Sequence, residues 1–515
     1  MTKYLKNNNL FYKKNEVKIL GRTNRTIHTV FHNLGKLMIL EGIFFFIPLI
    51  YSLLAGETSQ TKYFVISSTL SFFFGLLFLK IFREGIIYFI ESLLIVGVSW
   101  ILLAVFASLP FSLSTGKSFI DGYFEAVSGL TTTGITIFTN IESLSKSVIL
   151  WRSLIQWFGG LGILTLFLAI TFKSNNAYFR LFSAESHKID SARPTPSIFK
   201  TVIILWSIYG VFTIIEIIVL KIFGMNIFDA INHSLTTLST GGFSPYDASI
   251  QHFKNAGYHY YKEIEYVITF FMFLGGVNFL LHFKLFTGKI KDVFKDLEFR
   301  VFLLIIFSSV SLILLSHYVN IGSFSIKNFE SDFRHTIFTV VSITTTTGFG
   351  TTDINSAFFP ALAKQIILIL MLIGGSVGST AGGVKVLRIT VLFKLFKKEI
   401  QRLRLPKKAI SKLVINGKIF PTDEIKRITG LFFGWLFLIF IGAMITALFS
   451  DLNAWQSFSG MFSAVGNIGP FYFSVEQMSK LPDIVKITYI FGMLAGRLEI
   501  LPVILIFSRK AWKNS

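Results

Sequence analysis

The stretch Thr131-Thr-Thr-Gly-Ile135 recurs in related form three times along the chain, as Ser239-Thr-Gly-Gly-Phe243, Thr345-Thr-Thr-Gly-Phe349 and Gly466-Asn-Ile-Gly-Pro470. Aligned on Gly134, Gly242, Gly348 and Gly469, the four copies are 108, 106 and 121 residues apart. Six residues before each glycine there is a small hydroxyl residue: Ser128, Thr236, Ser342 and Ser463. A period of this kind indicates four copies of one structural unit.

The likeness extends to both sides of each stretch. A segment about one short helix long precedes it, such as Asp121–Val127 or Asp229–Leu235. Pairs of small residues follow it inside long apolar runs: Gly159-Gly160, Gly275-Gly276, Gly374-Gly375 and Ala495-Gly496. Each unit is therefore predicted to contain an apolar helix, a short helix, a Gly/Thr turn and a second apolar helix.

The composition is that of a protein with many membrane spans. Of the 515 residues, 52% are hydrophobic and only 15% are charged, which is too apolar for an ordinary soluble domain. A membrane-crossing helix needs about 20 apolar residues. Ten such runs are found, near 37–55, 62–81, 91–110, 150–172, 201–223, 264–283, 301–318, 363–393, 428–449 and 487–508.

The formal charge of +21 is concentrated in alternate connections between these runs, which argues for membrane topology and against nucleic acid as a partner. Basic residues gather in the amino terminus, in loops 173–200, 284–300 and 394–427, and in the tail. Positive charge accumulates on the cytoplasmic side of a membrane. The predicted location is a multi-pass position in the cytoplasmic membrane with both termini inside, which puts the four Gly/Thr turns in the outer half.

The chain has no cysteine, which excludes a disulfide framework and a thiolate metal site. The first apolar run begins only near residue 37 and has the length of a full span, so we expect it to be retained rather than cleaved as a signal peptide.

The predicted fold is an all-α integral membrane protein with ten transmembrane helices. Eight of them form four pseudo-symmetric units around a central pore, each unit with a re-entrant helix and a turn. The predicted segments are a basic cytoplasmic arm (1–36), an amino-terminal hairpin (37–81), repeats one to four (91–172, 201–284, 300–393 and 428–508), a basic cytoplasmic connection (394–427) and a cytoplasmic tail (509–515).

The four turns have the chemistry of a cation filter. The helical segments before them, about 12–14 residues long, are too short to cross a bilayer, and irregular backbone at membrane depth must face protein or water. A ring of backbone carbonyls can replace the water around a cation, and glycine permits the backbone angles that this requires. The alternative is a set of ordinary Thr/Gly loop turns. The candidate filter residues are Thr132, Thr133, Gly134, Thr240, Gly241, Gly242, Thr346, Thr347, Gly348, Asn467, Ile468 and Gly469.

Four further motifs strengthen this interpretation: Trp151–Ile163, Ser239–Ser244, Ser379–Lys385 and Gly496–Ile500. With these motifs, the extra amino-terminal hairpin and the segments Leu181–Glu185 and Asn278–His282, the chain resembles the Trk/Ktr/HKT superfamily of potassium transporters. It is most similar to the TrkH-type pore subunits of that superfamily. The resemblance covers nearly the whole chain from about residue 33. It implies K⁺ ions in the filter, no covalently bound cofactor, a homodimer with one pore in each protomer, and regulation by a cytoplasmic TrkA-type nucleotide-binding ring.

The fourth turn departs from the threonine-rich pattern, with Asn467 and Ile468 before its glycine and Pro470 after it. The number of well-formed ion sites in the filter is therefore left open.

A glycine-rich segment, Gly374–Gly383, interrupts the last span of the third repeat. We interpret it as a movable constriction below the filter, as the family's intramembrane loop is, because helix breaks at membrane depth are tolerated where they line a cavity. Close packing of small residues is the alternative. The candidate gate residues are Gly374, Gly375, Gly378, Gly382, Gly383, Lys385 and Arg497.

Arg497 is a charged residue within the last span, and such residues usually face an interior or a water path. It is expected to act as an electrostatic barrier beneath the filter. The alternatives are pairing with Glu499, which the two-residue spacing disfavours, or with helix-end carbonyls. Lys385 either holds the glycine-rich segment closed or extends to the inner membrane surface.

Asp247 and Asp353 each follow a filter glycine by five residues. They are candidates for concentrating cations at the outer mouth, although turn capping explains them almost as well.

The main functional hypothesis is potassium uptake through one pore per chain. The alternative within transport is a Na⁺ or mixed K⁺/Na⁺ channel, or a cation symporter of the same architecture. An intramembrane enzyme is disfavoured because the nine histidines show no metal-site spacing. No glycine cluster has the context of a dinucleotide-binding fingerprint, so nucleotide control requires a separate protein on the basic inner face.

Overall fold

The structure is a computed structural model, and it describes residues 22–162, 198–322, 326–404, 406 and 413–513. Four parts of the predicted segments lie outside these ranges: most of the arm, the loop 173–200 up to residue 197, the end of the first repeat, and three lysines of the basic connection (Lys407, Lys408 and Lys412). The described chain is mostly helical.

The amino-terminal hairpin consists of α1 (Arg22–Phe44), α2 (Phe46–Leu54) and α3 (Thr58–Ile81). Helix α1 begins inside the segment predicted as an arm, because apolar side chains such as Val30 and Leu34 are buried at helical spacing. Helices α1 and α3 approach closely at small residues. The Ser68 hydroxyl donates to the Gly42 carbonyl at 2.9 Å, as is typical of helix pairs in membranes.

The first repeat contains α4 (Phe89–Thr115), α5 (Phe119–Leu130), a 3₁₀ turn (Ile141–Ser143) and α6 (Lys146–Gly160). Helix α5 is the short predicted helix. Its first turn is capped by Ser118, whose hydroxyl accepts from the Asp121 N–H at 3.1 Å.

The second repeat contains α7 (Ile198–Ile222), α8 (Ile227–Leu238), α9 (Gln251–Asn255), α10 (Tyr261–Gly276) and α11 (Phe279–Phe286). Asn226 caps the short helix α8 through the Asp229 N–H. The predicted span 264–283 is broken, because α10 and α11 meet at an angle of 102°.

The third repeat follows α12 (Ile290–Lys295) and contains α13 (Leu297–Ile321), α14 (Ile326–Thr344), α15 (Ala361–Leu372) and α16 (Val386–Arg402). Helix α14 has 19 residues, so the prediction of 12–14 residues is wrong for this repeat. Residues 373–385 between α15 and α16 are not helical. The predicted span 363–393 is therefore two helices joined by the glycine-rich segment.

A two-stranded antiparallel hairpin, β1 (Val414–Ile415) and β2 (Lys418–Ile419), lies within the predicted basic connection. The fourth repeat contains α17 (Thr422–Phe449), α18 (Ala454–Gly466), α19 (Val475–Ser479), α20 (Asp483–Arg497) and α21 (Leu501–Ile506), and α22 (Arg509–Lys513) follows. Asn453 and Gln456 form a reciprocal capping box at the start of α18.

Within the described residues, six helices are long and apolar enough to cross a membrane, or up to seven if the bent pair α10–α11 is one span. Their outward faces are apolar: Leu304, Phe307 and Val319 of α13 are largely exposed, as expected for side chains that face lipid. The other predicted spans fall on helices that are short, broken or continued by residues outside the described ranges. Ten spans therefore stay a prediction.

Candidate functional site: the four turns and the glycine-rich loop

The four turns share one backbone conformation. In each, the glycine has a positive φ, and so does the residue two positions before it. The glycine φ angles are 78°, 73°, 86° and 110° for Gly134, Gly242, Gly348 and Gly469. The earlier positions are occupied by Thr132, Thr240, Thr346 and Asn467, with φ between 53° and 56°. Left-handed backbone is costly for residues other than glycine and asparagine, so its recurrence in every turn indicates that the surrounding structure imposes it.

The hydroxyl residues six positions before each glycine hold these turns. The backbone carbonyl of each accepts the N–H of the residue just before the glycine, at 2.8 to 3.0 Å. The four pairs are Ser128 with Thr133, Thr236 with Gly241, Ser342 with Thr347 and Ser463 with Ile468. The equal spacing in the sequence therefore corresponds to one shared hydrogen bond.

Each turn lies next to the turn that follows it in the sequence, and the fourth turn lies next to the first. A Cβ atom added to the glycine of each turn would meet a carbonyl oxygen of the next turn. The pairs are Gly134 with Gly241, Gly242 with Thr347, Gly348 with Ile468, and Gly469 with Thr133. Because the last pair returns to the first turn, the four turns form a closed ring, and a Cβ atom would overlap a carbonyl at three of the four glycines.

Most carbonyl groups of the turns have no protein donor. The Gly241 carbonyl accepts from Gln156 Nε2 at 2.7 Å. In the part of the chain that the structure describes, no N–H or O–H group donates to the carbonyls of the other candidate filter residues. Buried carbonyls normally find a donor, so oxygens left free in this way are suited to a cation.

Asn467 connects the fourth turn to the first. Its Nδ2 donates to the Thr133 hydroxyl at 2.8 Å and to the Met493 carbonyl at 2.9 Å. The amide tolerates the left-handed conformation and joins residues that are far apart in sequence. The fourth turn therefore departs from the threonine pattern in composition and keeps the same backbone shape.

An ion pair and an amide support the turns from behind. Arg152 pairs with Glu125 at 2.8 Å, and both side chains are almost fully buried. The same guanidinium donates to the Ser244 carbonyl at 3.1 Å, just after the second turn. Gln156, one helical turn further along α6, donates to Gly241 and accepts from the Phe243 N–H at 3.0 Å. These contacts join the first repeat to the second turn.

A cavity of about 400 Å³ lies against the ring, and we call it the outer cavity because the predicted topology places it on the outer side. All four turn glycines line it, together with Arg152, Asp247 and Asp353. Asp353 accepts from the Asn355 N–H at 2.8 Å, which is a local turn contact. Asp247 accepts from the Ile141 N–H at 3.1 Å. Burial raises the pKa of the Asp247 carboxyl above its ordinary value, and the nearby Glu142 adds to this shift. Both acids therefore line the cavity, but only Asp353 caps its own turn, whereas Asp247 joins its loop to the 3₁₀ turn of the first repeat.

The glycine-rich loop, residues 373–385, lies directly beneath the ring. Its two ends are joined by a bridge between Ile373 and Val384. The Gly382 N–H donates to the Thr346 hydroxyl of the third turn at 2.7 Å. The Thr380 hydroxyl donates to the Leu238 carbonyl, just before the second turn, at 2.9 Å. The loop thus contacts the inner side of two turns.

Close backbone contact explains the loop's glycines. A Cβ atom on Gly374 would overlap the Gly382 carbonyl, and one on Gly375 would lie 2.7 Å from the Gly276 carbonyl. Gly378 and Gly383 have positive φ angles of 77° and 68°. Close packing therefore explains Gly374 and Gly375, and the left-handed backbone explains Gly378 and Gly383.

Arg497 binds the loop and the end of α6. Its guanidinium donates to the Thr380 carbonyl at 2.7 Å and to the Gly159 and Gly160 carbonyls at 2.6 Å. Glu499 accepts from Arg388 at 2.6 Å, so its carboxylate has a basic partner other than Arg497. Arg497 therefore joins three segments just below the ring, and helix-end carbonyls are among its partners.

Lys385 lies at the carboxyl end of the loop and donates to the Ala381 carbonyl. It lines an inner cavity of about 130 Å³ together with Arg497 and Glu499. The side chain thus bonds within the loop.

Comparisons with known proteins match this architecture. The family model of the TrkH cation transport proteins matches residues 59–514. The chain belongs to the TrkH family. The Trk system potassium uptake protein TrkH of Escherichia coli strain K12 is 33% identical over 432 residues, which cover 82% of this chain and 86% of that protein. An uncharacterized cation transporter of Methanocaldococcus jannaschii is 32% identical over 496 residues, covering 96% of this chain and 98% of that protein.

The fold is also that of a solved member of the TrkH family. The crystal structure of the potassium transporter TrkH from Vibrio parahaemolyticus is similar with a TM-score of 0.81 and 29% sequence identity. The match covers 94% of this chain and 99% of that one. This chain is accordingly a multi-pass membrane protein of a cation transporter family.

Three residues of the site were not singled out in the sequence: Glu125, Arg152 and Gln156. A signal for them exists, because polar residues inside apolar segments are rare and usually face an interior. Arg152 and Gln156 lie within Trp151–Ile163, one of the motifs that carries the resemblance to the TrkH family. The sequence alone does not show which residues Arg152 contacts, because Glu125 and Ser244 belong to other segments of the chain.

Proposed function

We propose that this chain is the pore-forming subunit of a potassium uptake system in the cytoplasmic membrane. The observation that carries the proposal is the closed ring of four glycine turns, which line one outer cavity and leave carbonyl oxygens free. The relatives named as potassium uptake proteins support K⁺ as the transported ion.

The four turns are proposed as the selectivity filter. A cation that enters from the outer cavity exchanges water for backbone carbonyls of the residues around Gly134, Gly242, Gly348 and Gly469. Asp247 and Asp353 are proposed to raise the local cation concentration at the mouth. In this proposal K⁺ is the transported ion, and no covalently bound cofactor takes part.

The loop 373–385 and Arg497 are proposed as the gate. The loop lies across the inner side of the ring and bonds to two turns. Arg497 adds a positive charge at the same level, which opposes cation passage until the charge or the loop moves. The three carbonyl bonds of Arg497 favour the closed position.

The proposed assembly rests on the resemblance to the family. We propose a homodimer with one pore in each protomer, both termini in the cytoplasm, and a TrkA-type nucleotide-binding ring docked on the basic inner face. Nucleotide control would require a separate regulator, because no glycine cluster of the chain has the context of a dinucleotide-binding fingerprint.

The alternative is a Na⁺ or mixed K⁺/Na⁺ pathway, or a cation symporter with the same fold, because carbonyl rings of similar composition accept either ion. The test is flux into proteoliposomes with K⁺, Rb⁺, Na⁺ and Li⁺ in competition. Uptake of K⁺ and Rb⁺ in preference to Na⁺ and Li⁺ is the expected result. Equal or preferred Na⁺ uptake would select the alternative, and no cation flux would reject both.

A further inference from the structure

Glu298 contacts the gate loop from below. It lies in the first turn of α13 and is 6% exposed. Its Oε1 accepts the Val377 N–H at 2.7 Å and the Leu387 N–H at 3.1 Å. Val377 is in the middle of the loop, and Leu387 is in the first turn of α16, just after the loop. One carboxylate oxygen therefore bonds to both the loop and the helix that follows it.

This position suits a carboxylate. The first N–H groups of a helix have no partner within that helix, and the helix dipole favours a negative charge near its amino terminus. Glu298 lies at the amino terminus of its own helix and accepts from the amino terminus of α16. Hydrogen bonds to an ionised acceptor are also stronger than neutral ones.

The hairpin β1–β2 holds the residues next to Glu298. Asn416, at the tip of the hairpin, accepts from the Leu297 N–H at 3.0 Å and donates to the Asp296 carboxylate at 3.1 Å. Asp296 in turn caps α13 through the Phe299 N–H at 3.0 Å. Leu413, Ile415 and Phe420 anchor the hairpin in an apolar cluster with Val391 of α16 and Ile428 of α17.

We propose that Glu298 is the positioning residue that latches the glycine-rich loop in its closed position, and that the hairpin 413–420 acts on the loop through it. The latch provides a path of direct contacts from the basic connection 394–427 to the gate. A cytoplasmic partner that displaces the hairpin would loosen the first turn of α13 and with it both bonds to Glu298. This inference rests on the proposed gate function of the loop.

The first experiment measures basal K⁺ flux in proteoliposomes without a partner. Glu298→Leu removes the acceptor for two N–H groups, and we expect flux to rise about tenfold, which corresponds to about 1.4 kcal/mol less stabilisation of the closed loop. Glu298→Gln retains an oxygen that accepts both N–H groups, so its flux should stay within about threefold of wild type. Glu399→Gln, an exposed carboxylate on α16, is the matched control.

The second experiment measures how accessible the loop is to a water-soluble thiol reagent. The chain has no cysteine, so Ser379→Cys places a single thiol in the loop, where it lines the inner cavity. Glu298→Leu and Asn416→Ala should each speed modification of this thiol by a water-soluble reagent, and the K⁺/Na⁺ preference should not change. Asn416 is exposed, so its variant is expected to fold even if Glu298→Leu does not.

The outcomes separate this inference from the proposed function. Absence of K⁺ flux in wild type would reject the proposed function. A wild type that conducts but does not respond to shortening of the loop would reject the gate. A loop deletion that raises flux, combined with wild-type flux and wild-type thiol modification in Glu298→Leu and Asn416→Ala, would overturn the latch alone.

Discussion

At the scale of single residues, the glycine of each turn is the position that lies closest to the neighbouring turn. Gly348 has a φ of 86°, and a Cβ atom there would overlap the Ile468 carbonyl. Gly469 is less crowded, because its Cβ atom would lie 3.2 Å from the Thr133 carbonyl. The crowding at each glycine comes from the next turn, so a substitution acts on the ring rather than on the fold of its own segment.

Gly348→Ser is therefore expected to lower the K⁺/Na⁺ preference at least about tenfold while the protein still inserts and dimerises. Gly134→Ser and Gly242→Ser should act similarly, and Gly469→Ser should be the mildest. The measurement is K⁺ against Na⁺ flux for each purified variant. Gly116→Ser is the control, because Gly116 has a φ of 68° and open space around it. Wild-type preference in all four filter variants would show that the ring is not the filter.

The buried pair of Glu125 and Arg152 sets a second expectation for single residues. Removing one partner of such a pair leaves an uncompensated buried charge, at a cost of about 3–5 kcal/mol. Glu125→Ala should lower the free energy of unfolding by about this amount, measured by thermal unfolding in detergent. Glu476→Ala breaks the exposed pair with Lys480 and should change the unfolding midpoint little. Equal effects of the two substitutions would contradict the structural role of the buried pair.

At the scale of elements, the breaks in the helices determine how the glycine-rich loop contacts its neighbours. The break between α10 and α11 places the Gly275 carbonyl where the Thr380 N–H of the loop donates to it at 3.3 Å. The break between α15 and α16 supplies the loop itself. An uninterrupted helix has no free carbonyl or N–H group in its middle, so the contacts between these segments require both breaks.

Shortening the loop within residues 376–381 is expected to raise basal K⁺ flux and to reduce its dependence on a cytoplasmic partner. Arg497→Ala should also raise basal flux, because it removes both the positive charge and the bonds to Thr380, Gly159 and Gly160. Flux in proteoliposomes without a partner measures both effects. Arg300→Ala, which removes an exposed arginine, should not change flux. Folded variants with unchanged or lower flux would favour a packing role for the loop and Arg497.

At the scale of the whole molecule, the basic connection is the proposed docking surface for a cytoplasmic partner. Lys397, Lys398, Arg402 and Arg404 cluster at the end of α16, and the Arg402 side chain is 65% exposed. Charges on such a surface contribute to association mainly at low ionic strength.

Neutralising these four residues together is expected to weaken association with the nucleotide-binding partner by about tenfold or more at low salt, and by less at high salt. Co-purification and nucleotide-dependent flux are the measurements. Neutralising Lys254, Lys262, Lys327 and Lys480, which are exposed in other parts of the chain, is the matched control. Unchanged association and an unchanged nucleotide response in the first variant would exclude this surface as the docking site.

Several site features were predictable because they depend on neighbours in sequence. The turn glycines, the hydroxyl residues six positions earlier and the caps Ser118, Asn226 and Asn453 all act through contacts within a few residues. The hairpin at Asn416-Gly417 belongs to the same class, since this dipeptide favours a two-residue hairpin turn and both residues have positive φ. The charge of the connection alone does not predict this hairpin.

What the sequence determined by itself is the membrane class, the fourfold recurrence of the turn and the positions where only glycine fits. The tertiary structure alone decided the order of the turns around the ring, the bond from Asn467 to Thr133, the carbonyl partners of Arg497 and the contact of Glu298 with both Val377 and Leu387. The reason is physical. Local backbone conformation depends on residues close in sequence. Helices in a membrane are apolar towards lipid as well as towards protein, so their hydrophobic pattern does not specify which helices pack together.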